Sequence, residues 1–372
     1  MTERAPPRPW LFTCRHTFEP TLCAELGRLG WAQPRVVLPG LVDAGPLPQP
    51  LDEPRATQAL LPTQAFLAAL QRHDPVYALQ VLPEATSVHG VSVRDLARAA
   101  TDLALPWLEA IGGPWSVHAL VPAQLKGTPK PPMQRRAALV ADALKAEVHS
   151  RARRVGKLWQ PAGTTCQTLV QVLLVEAEVA WVSVAPVLAL APAAAWPSAL
   201  PAGLADVADD LVAPASSYRK LHEALACMGE LPQPGQTAVD LGACPGGWTR
   251  VLRKYGAQVV AVDRTPLAAH LMADPEVTFI AGDAFAFRPQ VPVDWMVSDV
   301  IAFPERAVEL IEIWCRAQLA KRLVVQMKFK GEPDLQAMAA ARAQAAVHGY
   351  EARAKHFFND KNEVTWMVVH RG

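Results

Sequence analysis

From Gln236 to the end of the chain, short apolar runs alternate with helix-patterned segments, and this rhythm restricts the fold more than any other feature. The runs are Thr237–Leu241, Gln258–Val262, Val277–Ala281, Trp295–Ser298 and Leu323–Met327. Strand alternating with helix predicts an α/β layer structure, a parallel sheet covered by helices on both faces. The end breaks the rhythm. Tyr350–Phe358 and Val364–His370 read as two strands joined by a short turn, Asn359 to Glu363, so the sheet should finish in an antiparallel hairpin. An open sheet of this kind takes its ligand in the crevice outside the carboxyl ends of its strands. The strand ends are therefore where chemistry is expected.

The rest of the chain reads as smaller units. Residues 1–85 hold a strand (Trp10 to Cys14), a helix (Pro20 to Leu29) and a second helix (Thr63 to Gln71) among Pro/Gly-rich connections. Residues 86–190 hold a helix (Val93 to Leu103), a strand (Trp115 to Leu120), a basic helix and a β-branched strand pair, Gln167–Glu176 and Val179–Val187. Residues 191–215 are Ala/Pro-rich and read as a linker, and 216–372 as the α/β domain. A length of 372 residues with 51% hydrophobic and 19% charged residues suits several packed cores and excludes a disordered chain. The net charge of +1 excludes a global field that would announce nucleic acid or membrane, so any such partner must be read from local patches.

Six scattered cysteines without a CxxC pair argue against a zinc ribbon or a disulfide framework and for a reducing compartment; no metal site is expected. Val179 to Ala205 carries no charge and is long enough for a bilayer. Pro186, Pro192, Pro197 and Pro201 interrupt it repeatedly, so it reads as a strand followed by the linker. The opening MTERAPPRPW has no apolar signal core, and the expectation is a cytoplasmic protein without a membrane partner or an obligate protein partner.

The most informative segment is Asp240-Leu-Gly-Ala-Cys-Pro-Gly-Gly-Trp-Thr249, between the first strand and a helix from Trp248 to Lys254. Gly242 has no partner glycine at 244, so the dinucleotide GxGxxG pattern fails, and the absence of a lysine excludes a P-loop. An acid at the strand end suits a ligand with an amino group and no phosphate, such as S-adenosyl-L-methionine. Glycines let the backbone approach that ligand. The second strand ends at Asp263, placed to accept the hydroxyls of a ribose. The third ends in Gly282-Asp283-Ala284-Phe285, which suits an adenine pocket. Any one of these acids alone would read as a solvated loop residue; three at successive strand ends do not.

The fourth strand ends at Ser298-Asp299-Val300-Ile301-Ala302-Phe303-Pro304, without the Asn/Asp-Pro-Pro-Tyr/Phe of enzymes that methylate exocyclic amines. No cysteine stands near it, as base-C5 methylation requires. Oxygen chemistry remains. A ribose hydroxyl is weakly acidic, so a base must take its proton. Lys328, at the end of the fifth strand, is the candidate; a lysine ordinarily titrates near ~10.4, and cations and burial lower that. Lys220 precedes the α/β domain and Glu363 opens the last strand.

Lys220, Asp299, Lys328 and Glu363 resemble, in order, the Lys-Asp-Lys-Glu tetrad of ribose 2′-O-methyltransferases. The stretches LFTCRHTFEPTLCAEL, SSYRKLHEAL, DLGACPGGWTRVLRKYGAQVVAVD and HFFNDKNEVT are similar to those of the 23S ribosomal RNA cytidine 2′-O-methyltransferase family. The resemblance implies a Rossmann-like class I methyltransferase domain, preceded by a ferredoxin-like unit over 1–85 and a THUMP-type RNA-binding unit over 86–190. It implies S-adenosyl-L-methionine as cofactor, held by Ser217, Cys244, Pro245, Gly246, Gly247, Asp263, Asp283 and Asp299 or its neighbour, to which the loop itself adds Asp240, Gly242 and Trp248 as expected cofactor residues. It implies Lys328 as proton acceptor and 23S ribosomal RNA as partner. Two alternatives stay open: another RNA ribose, such as that of a transfer RNA, and a non-catalytic RNA-binding or assembly factor. Phe329-Lys330-Gly331 after the base departs from the family pattern.

Between Lys126 and Lys157 stand nine basic residues, Lys126, Lys130, Arg135, Arg136, Lys145, Arg151, Arg153, Arg154 and Lys157, against Asp142 and Glu147, a local charge of +7. Val140, Leu144 and Val148 give this helix a buried face, which leaves the charges to its ends and outer face. Such a cluster attracts phosphates, although a solvated helix face looks the same in sequence.

Overall fold

The structure, a computed structural model, describes residues 8–46, 74–122, 131–164, 166–190 and 194–371. The predicted helix from Thr63 to Gln71, and Lys126 and Lys130 of the basic run, lie outside the described residues. The chain divides into two compact units, Met1–Leu190 with Ala195–Leu204, and Ala191–Ala194 with Ala205–Gly372.

The first unit contains two four-stranded sheets. Strands β1 (Leu11–Thr13), β2 (Arg35–Leu38), β3 (Leu41–Asp43) and β4 (Gln80–Leu82) form the first, in the order β2-β3-β1-β4, with helix α1 (Glu19–Arg28) between β1 and β2 in sequence. Strands β5 (Thr86–His89), β6 (Trp115–Leu120), β7 (Thr168–Leu174) and β8 (Val179–Pro186) form the second, in the order β5-β8-β7-β6. Helices α2 (Val93–Ile111) and α3 (Pro131–Arg151) supply Leu96, Ala100, Val140, Leu144 and Val148 to the core shared with Val170 and Val172 of this sheet. The expected apolar face of the basic helix is therefore the packed one. A short helix, α4 (Arg153–Gly156), follows it.

Two features differ from expectation. Helix α2 starts at Val93 in a capping box, in which Ser92 and Asp95 each accept the other's backbone N–H, but it continues past Leu103 to Ile111. Leu105 and Leu108 prolong its buried stripe, and that packing outweighs the break expected at Pro106. Strand β9 (Leu188–Leu190) precedes the stretch read as a linker, β10 (Ala194–Trp196) forms within it, and residues 195–204 gather with the first unit. Trp196 is buried there, its indole N–H donating to Asp74.

The second unit is built on seven strands: β11 (Thr237–Leu241), β12 (Gln258–Asp263), β13 (Val277–Ala281), β14 (Val293–Ser298), β15 (Ala320–Lys328), β16 (Tyr350–Lys355) and β17 (Glu363–His370). Their order is β13-β12-β11-β14-β15-β17-β16. The first five run parallel, and β17 inserts antiparallel between β15 and β16. This is the α/β sheet with a terminal hairpin that the sequence predicts. Helices α5 (Tyr218–Met228), α6 (Gly247–Lys254), α7 (Ala269–Met272), α8 (Pro304–Arg316) and α9 (Leu335–Val347) complete it. Leu221, Leu225 and Met228 of α5 fall on one helical face and pack with Ala238, Val297, Val324 and Met367 of the sheet.

The hairpin turn is longer than expected, spanning residues 356–362. Its polar side chains are buried: His356 and Asp360 are both fully enclosed. Asp360 accepts the Phe357 N–H (2.9 Å) and the Thr365 hydroxyl (3.1 Å), so the turn folds on an internal carboxylate instead of on solvent.

Candidate active site

The loop after β11 is shaped by two left-handed glycines. Gly242 has φ +74°, and a Cβ there would stand 2.5 Å from Val300 Cγ2. Gly246, at φ +112°, leads into α6, and a Cβ there would collide with Leu271. Any other residue would be strained at both places. Between them, Asp263 holds the loop from the neighbouring strand end. Its Oδ2 accepts the Cys244 N–H (3.0 Å) and its Oδ1 the Thr265 N–H (2.9 Å). The carboxylate is thereby fixed at the mouth of the crevice with lone pairs to spare for hydroxyl donors.

Asp240 ends up almost fully enclosed. Its Oδ2 accepts the Thr249 hydroxyl at 2.6 Å, whereas Oδ1 is buried without a hydrogen-bond partner. Burial pushes this carboxyl up to about 7, although the Thr249 contacts oppose the shift. A buried acceptor without a donor is costly, and a cationic amine beside it would satisfy it. Asp283, half exposed, accepts the Phe285 N–H at 2.9 Å and lies 3.5 Å from Arg264. Phe285 carries the Arg306 guanidinium 4.2 Å above its ring.

The remaining loop residues divide into two roles. Gly247 sits against Ser217, whose Oγ would be 3.0 Å from a Cβ at that glycine. Trp248 points into the core and donates its indole N–H to the Ser217 carbonyl (2.9 Å), so it joins α5 to the loop by packing. The Cys244 thiol donates to the Pro266 carbonyl at 3.4 Å, and burial raises its pKa, which makes it an inert wall beside Pro245.

At the other side of the same edge, four side chains from four elements converge. Lys328, the last residue of β15, places Nζ 2.8 Å from Asp299 Oδ1 and donates to the Asp299 carbonyl oxygen at 2.9 Å. Lys220 on α5 reaches Glu363 Oε1 at 2.5 Å and Asp299 Oδ1 at 3.6 Å. The β15–β17 register pairs Lys328 with Glu363 directly. Burial opposes the charge on Lys220, but Asp299 and Glu363 outweigh it and raise the pKa. Burial likewise opposes ionisation of Glu363, and Lys220 beside it nevertheless lowers its pKa. The result is two lysines and two carboxyl groups in alternation, Lys220 and Glu363 buried and Lys328 and Asp299 partly so. Among the described residues all of the sequence-selected strand-end acids and both lysines stand on the carboxyl side of this one sheet.

The residues that sequence reasoning missed lie behind these. Gln326 donates to the Thr365 hydroxyl (2.7 Å), and Thr365 contacts Asp360. Glu223 accepts the Asn359 N–H at 3.0 Å. Burial, then Glu363, raise the Asp360 pKa well above the ordinary carboxylate range. Asn362 donates to the carbonyls of Phe329 (3.1 Å) and Gly331 (2.8 Å), tying the loop after Lys328 to the hairpin. The available signal was a polar Gln326 inside the otherwise apolar run Leu323–Met327.

The basic run in the first unit is narrower than its sequence suggests. Arg151 is paired with Asp102 at 2.6 Å, Arg136 donates to the Val91 and Ala177 carbonyls, and Lys145 lies 4.0 Å over the Trp159 ring. Arg135, Arg153, Arg154 and Lys157 are exposed and make no ion pair among the described residues.

Residues 215–361 match the model of the FtsJ-like methyltransferase family. A ribosomal RNA large subunit methyltransferase M from Halorhodospira halophila is 37% identical over 179 residues, 47% of this chain and 52% of that protein. One of the same name from Laribacter hongkongensis is 36% identical over 182 residues, 46% and 52% of the two chains. A third, from Azoarcus sp., is 28% identical over 370 residues, 95% of this chain and 93% of its own. The chain thus spans about half the length of the first two curated relatives and nearly all of the third.

Proposed function

We propose that this chain, whose residues 215–361 match the model of the FtsJ-like methyltransferase family, uses S-adenosyl-L-methionine to methylate the 2′-hydroxyl of a cytidine ribose in 23S ribosomal RNA. The contact of Lys328 and Lys220 with a single carboxylate, Asp299, carries this reading. Asp263 offers acceptors for a ribose, Asp283 and Phe285 line the place for an adenine, and Asp240 keeps a carboxylate oxygen for a cationic amine. Bound there, S-adenosyl-L-methionine supplies a methyl group on a sulfonium.

The protein's own part is to position the hydroxyl and to receive its proton. When that methyl is transferred to the ribose oxygen, the hydroxyl proton would pass to Lys328 Nζ. With one N–H committed to the Asp299 carbonyl, the neutral amine keeps its lone pair for that proton. Lys220, held cationic by its two carboxylates, stabilises negative charge developing on the ribose oxygen, and Glu363 fixes Lys220. We read the 86–190 region as THUMP-type, with Arg153, Arg154 and Lys157 meeting RNA phosphates, and a ribosomal RNA substrate places the work in the cytoplasm. The test is a map of 2′-O-methyl sites in ribosomal RNA from cells with and without the gene. Loss of one cytidine site, restored by the purified chain, is expected; an unchanged map would overturn the proposal.

A further inference from the structure

Two chain segments leave the tetrad and meet again outside it. One runs from Asp299 through Val300, Ile301 and Ala302 to Phe303, which precedes α8. The other runs from Lys328 through Phe329 to Lys330. At their far ends Lys330 Nζ lies 4.4 Å from the centre of the Phe303 ring. Both segments are braced at their bases. Val300 is wedged against Gly242, and Asn362 holds the carbonyls on either side of Lys330. Their tips are not covered: Ile301 is 89% and Phe303 58% exposed, among the most exposed large apolar residues described in this unit. Nothing in the cofactor loop or the tetrad uses them.

An exposed aromatic ring with a cation beside it, next to a site that must hold a ribose, is the combination that binds unpaired nucleotides. The ring stacks a base and the cation meets the adjoining phosphate. Resting on the function proposed above, we propose that Phe303, Ile301 and Lys330 form the platform that seats the base of the target nucleotide while Lys328 receives its ribose. A base on this platform cannot at the same time be stacked in a duplex. The substrate class is therefore a nucleotide in an unpaired segment, or one drawn out of its helix.

The experiment uses the full chain and a short RNA carrying the target cytidine, either single-stranded or annealed to a complement. Steady-state methylation gives KM for RNA, fluorescence anisotropy gives RNA affinity, and calorimetry gives S-adenosyl-L-methionine affinity. Phe303→Leu should raise KM and weaken RNA binding by about fivefold or more, the ordinary worth of one base–aromatic stack. Cofactor affinity should hold, Phe303→Trp should restore RNA binding, and the single strand should be favoured over the duplex. RNA affinity and KM within twofold of wild type in Phe303→Leu, or equal use of duplex and single strand, would overturn the platform while leaving the methyltransferase reading intact. A wild-type chain that methylates no RNA would overturn that reading instead, and the anisotropy of Phe303→Leu would then decide the platform by itself.

Discussion

Lys328 and Arg at the same position differ in one respect that matters here: a guanidinium stays protonated and cannot accept a proton. If Lys328 is the base, Lys328→Ala and Lys328→Arg should both bind cofactor normally and lose about 10²–10⁴-fold in turnover. Single-turnover methylation with saturating cofactor checks this, and a Lys328→Arg variant with near-normal turnover would leave Lys328 only a positioning charge. Asp240 gives a pH signature. Its folded pKa, about 7, lies above its unfolded value, so the native state holds the proton more tightly. That contribution to stability is complete below the unfolded pKa of ~3.9 and is lost as pH rises through about 7, on the order of 4 kcal/mol in all. Denaturant titrations of the cofactor-free chain across that window should show the loss, and Asp240→Asn should flatten it. An unchanged slope in Asp240→Asn would mean the carboxyl titrates normally.

At the scale of elements, the loop after β11 is a test of backbone fit. Gly242→Ala forces an L-residue into left-handed backbone, costing about 1–2 kcal/mol, and pushes a methyl into Val300 Cγ2. A lowered melting temperature and weaker cofactor binding are expected, and Gly242→Ala with Val300→Ala should recover part of both. No recovery in the double variant would show that backbone strain alone sets the cost. Elements also explain what the sequence could and could not disclose. The central parallel strands of the second unit were legible because a strand buried on both faces is a continuous apolar run, and the acids that end these runs stand out against it. Asp360 and Glu223 were not legible. A buried carboxylate and a solvated one look alike in sequence, and only the folded hairpin turn brings Asp360 to Thr365. The same limit hid the fate of the linker, where Trp196 found Asp74 across more than a hundred residues of chain.

For the molecule as a whole, the reading proposed above puts the chemistry in the second unit and has the first contribute affinity for RNA. Net charge is only +1, so that affinity has to come from a local cluster of unpaired cations. Arg153, Arg154 and Lys157, like Arg135, are exposed and make no ion pair among the described residues, whereas Arg151 already spends its charge on Asp102 at 2.6 Å. Each phosphate neutralised by such a residue contributes roughly 0.7–0.9 to the slope of log affinity against log salt. Replacing Arg153, Arg154 and Lys157 together by Ala should therefore flatten the slope by about two units and raise KM for RNA at physiological salt. Arg151→Ala should change the slope much less, because removing it also frees an acid. Neither variant should alter S-adenosyl-L-methionine affinity, since every residue assigned to that ligand lies in residues 217–299. Anisotropy with the target RNA at several salt concentrations, alongside cofactor calorimetry, makes the measurement. A triple variant with the wild-type slope would show that the cluster is a solvated surface and that RNA is held by the second unit alone.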